Sequence, residues 1–207
     1  MSHASPHRPT ALAGAAGVLL NLVAVAALGP VPHTYAPGNV AAWQAETVAA
    51  PGHSTVSAWA FTLGLVLLAA FAAGFSAAAG TRGRAWGLLG AALFGGGALL
   101  NAAGTMAPVA VLHVSADAGE ALLWMTLLLD AGFNALLGLG LLAWAAALAP
   151  EDGWPRWLRA WAAVAGLASL PVALQFHSDT FARLLAVSGP LWTGWVLAAS
   201  WKLWRRA

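Results

Sequence analysis

Asp130 is the one acid inside any of the long uncharged apolar stretches of this chain. It lies ten residues past Glu120, about 15 Å along a helix, which places it near the middle of a hydrocarbon core about 30 Å thick. Asn134 is one turn further along the same helical face. Asn101, in the preceding stretch, is twelve residues before His113, about 18 Å by the same rise, so it reaches a similar depth. Asn21, inside the first stretch, completes the group. A charged carboxylate at the membrane centre costs about 2.5 to 3.5 kcal/mol on insertion scales, so Asp130 must face the interior of a helix bundle. There it can take up a proton or accept hydrogen bonds from the Asn amides. Two readings are open: a satisfied polar clasp between helices, or a site for a proton or ligand.

A second polar set gathers at one rim. His33, His53, His113 and His177 fall on the same side as Glu46, Asp117, Glu120 and Asp179 when the apolar stretches are drawn as membrane spans. If the fourth span starts early, His113, Asp117 and Glu120 stand at i, i+4 and i+7 on one helical face, and His177 and Asp179 lie in a neighbouring turn. Imidazole and carboxylate suit Zn or another divalent ion. No His-Glu-x-x-His is present and no His pair is spaced at i, i+4, so solvated loop residues are the plain alternative.

Other constellations are missing. There is no Gly-x-Ser-x-Gly elbow, no phosphate-binding loop and no cysteine, which excludes thiolate nucleophiles, thiolate metal sites and disulfides. Haem held by two His across spans is disfavoured because no His lies well inside a span. Trp192 and Trp195, at i and i+3, could line an apolar cavity for a lipid, isoprenoid or aromatic ligand, or pack in the core.

The elements that must position these groups follow from composition. Of 207 residues, 60% are hydrophobic and 8% charged, against about 25% charged in an average soluble domain, so there is too little polar surface to face water all round. With a net charge of +2 and no single basic patch, nucleic acid is not the partner. The lipid bilayer is. Six stretches are long enough to cross it: Thr10 to Gly29, Thr55 to Gly80, Ala85 to Leu112, Ala121 to Ala149, Trp157 to Phe176 and Phe181 to Trp201. The expected fold is an all-α membrane protein, a single six-transmembrane-helix bundle over residues 1–207. Pro171 and Pro190 predict kinks in the last two spans. Residues 30–54, rich in Pro, Gly and Ala, are expected to be a loop. The first stretch resembles a signal peptide in its small residues, but its length suits a span better. Gly83, Gly87, Ala91 and Gly95 recur every four residues, a ridge for close helix packing or for a dimer face.

Orientation follows from the basic residues. Arg8, Arg82, Arg84, Arg156, Arg159, Lys202, Arg205 and Arg206 share one side and only Arg183 stands opposite, which predicts cytoplasmic N and C termini. Trp86, Trp144, Trp154, Trp157, Trp201 and Trp204 mark the same interface, and Trp43, Trp59 and Trp124 the other.

The run Pro155-Arg156-Trp157-Leu158-Arg159-Ala160-Trp161 before the fifth span, with Pro190 and Trp195 in the last, resembles a family of bacterial six-span integral membrane proteins classed as a domain of unknown function. The resemblance covers about the last 80 residues and implies a six-helix topology in a bacterial inner membrane, with no residue roles. The functional expectation is a membrane protein that binds or moves a small molecule or proton through a polar interior, or serves as a membrane subunit or sensor. The alternative is a metal-dependent membrane enzyme acting on a lipid-linked substrate at the extracytoplasmic face.

Overall fold

The computed structural model describes residues 7–28, 37–78, 80 and 83–207; His33 and Arg82, to which the sequence gives a side, lie outside them. The chain runs through α1 (His7–Ala27), a 3-10 turn (Pro37–Asn39), α2 (Val40–Ala49), α3 (Pro51–Ala78), α4 (Arg84–Gly104) and α5 (Ala107–Val111). It continues with α6 (Ala116–Ala147), a 3-10 turn (Pro150–Asp152), α7 (Arg156–Ser169), a longer 3-10 segment (Pro171–His177), α8 (Asp179–Arg183) and α9 (Leu185–Trp204). Among the described residues six helical segments are long and apolar enough to cross a membrane: His7–Ala27, Pro51–Ala78, Arg84–Val111, Ala116–Ala147, Arg156–His177 and Asp179–Trp204. Each overlaps an expected span, with ends that differ by a few residues. The protein is thus all-helical with the character of a multi-pass membrane protein.

The spans close a ring in chain order. α1 packs on α3, α3 on α4, α4 on α6, α6 on α7, α7 on α9, and α9 returns to α1. Arg8 lies over the Trp204 ring at 5.5 Å, so the start of α1 and the end of α9 share one end of the bundle. Arg206 stacks on Trp154 at 4.0 Å at that same end and donates from Nη2 to the Asp152 carbonyl at 2.9 Å. α2 lies at the opposite end, where the Gln44 amide donates to the Ala116 carbonyl at 2.8 Å.

Large aliphatic side chains point outward: Leu12, Leu19, Leu63, Leu88, Leu139 and Val164 are all about half exposed or more. In water such a surface would be unfavourable; in lipid it costs nothing. Aromatic rings fill the ring's interior toward the termini. Trp144 stacks on Trp195 at 5.4 Å and meets Phe75 and Phe94 at 5.0 Å each. A buried indole N–H needs an acceptor. Trp144 donates to the Gly87 carbonyl at 3.2 Å and Trp195 to the Leu158 carbonyl at 2.9 Å.

The small-residue ridge is used inside the bundle. A Cβ at Gly83 would collide with the Ala147 carbonyl, Gly87 accepts the Trp144 indole, Ala91 packs on the core, and a Cβ at Gly95 would lie 3.4 Å from Ala72. On the facing helix, a Cβ at Gly140 would stand 2.9 Å from the Phe94 backbone nitrogen, so α4 and α6 approach nearly backbone to backbone.

The structure departs from the sequence reading in two ways. Residues 40–49, expected as loop, form α2, whose Val40, Trp43 and Thr47 are buried against the bundle. Three spans expected as continuous are interrupted: the third at Thr105 and Met106, the fifth at Leu170, the sixth at Leu184. Proline accounts for two of these places. Pro108 is the second residue of α5 and Pro171 opens the 3-10 segment, each lacking the N–H that would continue the preceding helix. Pro190, by contrast, lies inside α9.

Candidate functional site

α6 carries Asp130 and Asn134 one turn apart, and α4 faces it with Asn101. The Asn101 amide donates from Nδ2 to Asp130 Oδ1 at 2.9 Å. The Asn134 amide donates to Asp130 Oδ2 at 3.1 Å and to the Asp130 main-chain carbonyl at 2.9 Å. A fourth residue closes the set: Gln175 donates from Nε2 to Asp130 Oδ2 at 2.6 Å. All four side chains are buried, with Gln175 at 0% and Asp130 at 7% exposure.

Gln175 reaches the carboxylate because of the 3-10 segment. At about three residues per turn, positions three apart eclipse, so Ser169, Val172 and Gln175 form one buried row continuing from the end of α7. The sequence reading counted Gln175 as part of an apolar span and missed it. The available signal was a lone glutamine inside that span, four residues after Pro171.

Three amides therefore surround one carboxylate, and none of them carries charge. Each also keeps an oxygen without a partner: Asn101 Oδ1, Asn134 Oδ1 and Gln175 Oε1 are buried and unbonded. An amide is a donor at one end and an acceptor at the other, so a half-turn about its last bond exchanges the two.

Asn21 is not brought into this cluster. It is buried on α1 against Gly64 of α3, and both of its amide atoms lack a partner. Its helix packs on α3 and α9, whereas that of Asp130 packs on α4 and α7.

The rim residues stay apart. α6 begins at Ala116 after an extended Ser115, so His113 sits in the turn before the helix and off the face that Asp117 and Glu120 share. His113, Asp117 and Glu120 are exposed, and Glu120 accepts from the Trp124 indole at 3.3 Å. His177 is exposed beside the Phe176 ring at 4.0 Å, and exposed Asp179 opens α8 next to Gly38. Among the described residues no three His, Asp or Glu side chains gather as they would to hold a metal ion.

Trp192 and Trp195 are packing residues. Trp195 is fully buried between Trp144 and Phe75, and Trp192 meets Phe133 edge to face at 6.2 Å. Both rings are thus packed within the bundle.

A second polar feature lies toward α2. Ser54 and Ser57 of α3, Thr105 after α4 and Thr126 of α6 line a small cavity with Trp43 and Phe61. Thr105 shares a hydrogen bond with Thr62 at 2.8 Å, and Thr126 donates to the Gly104 carbonyl at 3.0 Å.

No family model, curated protein or solved structure matches the chain. The resemblance noted above rests on Pro155 to Trp161 together with Pro190 and Trp195.

Proposed function

We propose that this is a multi-pass membrane protein whose interior binds one positive charge, a proton or an alkali cation, at Asp130. One observation carries the reading: a buried carboxylate at mid-span accepts hydrogen bonds from three neutral amides, and none of its partners supplies the balancing charge. Amides orient and solvate a carboxylate but do not neutralise it, and an uncompensated charge in an apolar interior is strongly disfavoured. A bound proton or cation supplies what the amides lack.

The amide set suits either occupant. With a proton on Asp130, one amide turns its oxygen inward to accept the O–H. Gln175, whose Oε1 is otherwise unbonded, can serve as that acceptor after a half-turn of its amide. With an alkali cation, the carboxylate and the oxygens of amides turned toward it would supply the hard, all-oxygen donor set such ions take.

The positive-inside pattern supports cytoplasmic termini, with the Arg and Trp belt on that side and α2 on the other, and the family resemblance supports a bacterial inner membrane. Infrared difference spectroscopy on the reconstituted protein tests the site. A carboxylic-acid C=O band should titrate with pH in wild type and be lost in Asp130→Asn. In the cation case sodium or potassium at fixed pH should suppress that band. Identical spectra for wild type and Asp130→Asn, under every pH and salt condition, would refute the reading.

A further inference from the structure

The hydroxyl-lined cavity beside the cluster deepens the reading of Asp130 as a charge-binding site, and rests on it. Its volume is about 10 Å³, room for about one water molecule, and its wall sets the buried hydroxyl residues Ser54, Ser57, Thr105 and Thr126 among apolar Leu28, Trp43, Ala58, Phe61 and Pro108; the two Thr hydroxyls donate to main-chain carbonyls and keep lone pairs free to accept. An apolar void of that size stays dry, whereas one with several polar partners holds water. Its place matters as much as its lining. Thr126 precedes Asp130 by four residues and Thr105 follows Asn101 by four, so both helices present the cavity about 6 Å from the Asp130 to Asn101 hydrogen bond. That distance runs toward the α2 end. α4 also stops there, at Gly104, whose carbonyl is free of the helix ladder and accepts from Thr126 instead.

α2 reaches the cavity through Trp43, and Leu28 after α1 lines it as well. On the same buried face of α2, Thr47 one turn on, 1% exposed, has a hydroxyl with no partner. The Gln44 to Ala116 bond fastens this helix to the start of α6. Toward the termini the interior is filled by packed rings, with Phe133 edge to face on Trp192 and Phe94 tilted against Trp144. Toward α2, Thr126 and Thr105 continue the polar groups one turn beyond Asp130 and Asn101.

We propose that this cavity is the water-filled port through which Asp130 exchanges its proton or alkali cation with the α2 side of the membrane, and that α2 is its cover.

The chain contains no cysteine, so a single introduced thiol is the only reactive one. Thr126→Cys and Ser57→Cys in sealed vesicles of each orientation, treated with a small membrane-impermeant thiol reagent, test the route. Both should react from the face opposite the C terminus alone, and Gln44→Ala should speed the reaction about tenfold by loosening α2. Val114→Cys, exposed at that end, reports that the face is reachable, and fully buried Leu137→Cys should stay unlabelled. Failure of Thr126→Cys and Ser57→Cys to react in the Gln44→Ala background, while Val114→Cys reacts, would overturn the port; so would reaction from the C-terminal face. Thr126→Val, which removes the hydroxyl and keeps the shape, should also slow severalfold the shift of the Asp130 C=O band on transfer to D2O. An unlabelled cavity with a normal band defeats the port alone. An open cavity with no Asp130 band defeats the binding reading instead.

Discussion

Removing the carboxylate in two different ways separates what Asp130 does for the fold from what it does for charge. Asp130→Leu keeps the volume and leaves the amides of Asn101 and Gln175 buried without an acceptor, while Asn134 keeps its bond to the main-chain carbonyl of residue 130. An unsatisfied buried donor costs about 1 to 3 kcal/mol, so two give about 2 to 6 kcal/mol. Hydrogen bonds measured within membranes average about 0.6 kcal/mol, which sets a floor near 1 kcal/mol. Against a total stability of about 5 to 15 kcal/mol, the Leu variant should unfold far earlier than wild type or fail to accumulate. Asp130→Asn behaves differently. The new amide offers one donor and one acceptor, and a half-turn of Gln175 or Asn101 presents the complementary end, because each has an unbonded oxygen. It should remain within about 1 kcal/mol of wild type. Unfolding in mixed micelles with increasing dodecyl sulfate, followed by tryptophan fluorescence, measures both. The double variant Asp130→Leu with Gln175→Leu should recover part of the loss, since one stranded amide is gone. A Leu variant as stable as the Asn variant would show that the amides do not depend on the carboxylate.

Four further outcomes follow from other parts of the structure. Gly138→Ala would place a Cβ 2.9 Å from the Gly166 carbonyl, so α6 and α7 must separate, at about 1 to 3 kcal/mol; an unchanged unfolding midpoint would deny that contact. Arg206→Ala loses the stack on Trp154 and the bond to the Asp152 carbonyl, about 1 to 2 kcal/mol, and Arg206→Lys should recover little because the planar fork is gone. A reporter fused after Ala207 should read cytoplasmic and one inserted at Gly38 the opposite; both on one side would refute the six-span topology. For the rim, protein purified without chelator should carry less than about a tenth of an equivalent of transition metal, unchanged by His113→Ala, because no three of the described His, Asp or Glu side chains gather; a full equivalent lost in that variant would establish the metal reading.

The spans were legible because lipid imposes a coarse rule: about 20 apolar residues without charge, whatever their packing. What that rule does not see is the backbone inside a span. Pro171 announced a disturbance, yet whether it kinks a helix or converts seven residues to a 3-10 segment depends on which neighbours satisfy the freed groups. α2 was hidden for the opposite reason. Ten residues with mixed polarity carry no span signal, and their helix is held by Trp43 and Thr47 against α3, α5 and α6.

The site divides along the same line. Asp130, Asn134 and Asn101 were found because depth along a straight helix can be counted, and helices joined by a short turn bring equal depths together. Asn21 satisfied the same count and went elsewhere, since depth says nothing about which way a helix faces round the ring. Gln175 failed the count: it lies two residues before the end of its span, where an α-helical rise would leave it at the interface. The break at Leu170 and the tighter winding after it turn that residue inward onto the carboxylate. Straightening the break should then release Gln175 while sparing the other two donors. Pro171→Ala restores the missing N–H, and in that background Gln175→Leu should cost less stability than it does in wild type, as a double-mutant cycle of the two substitutions measures. An unchanged cycle energy would mean that the 3-10 winding is set by the bundle and that Pro171 merely tolerates it.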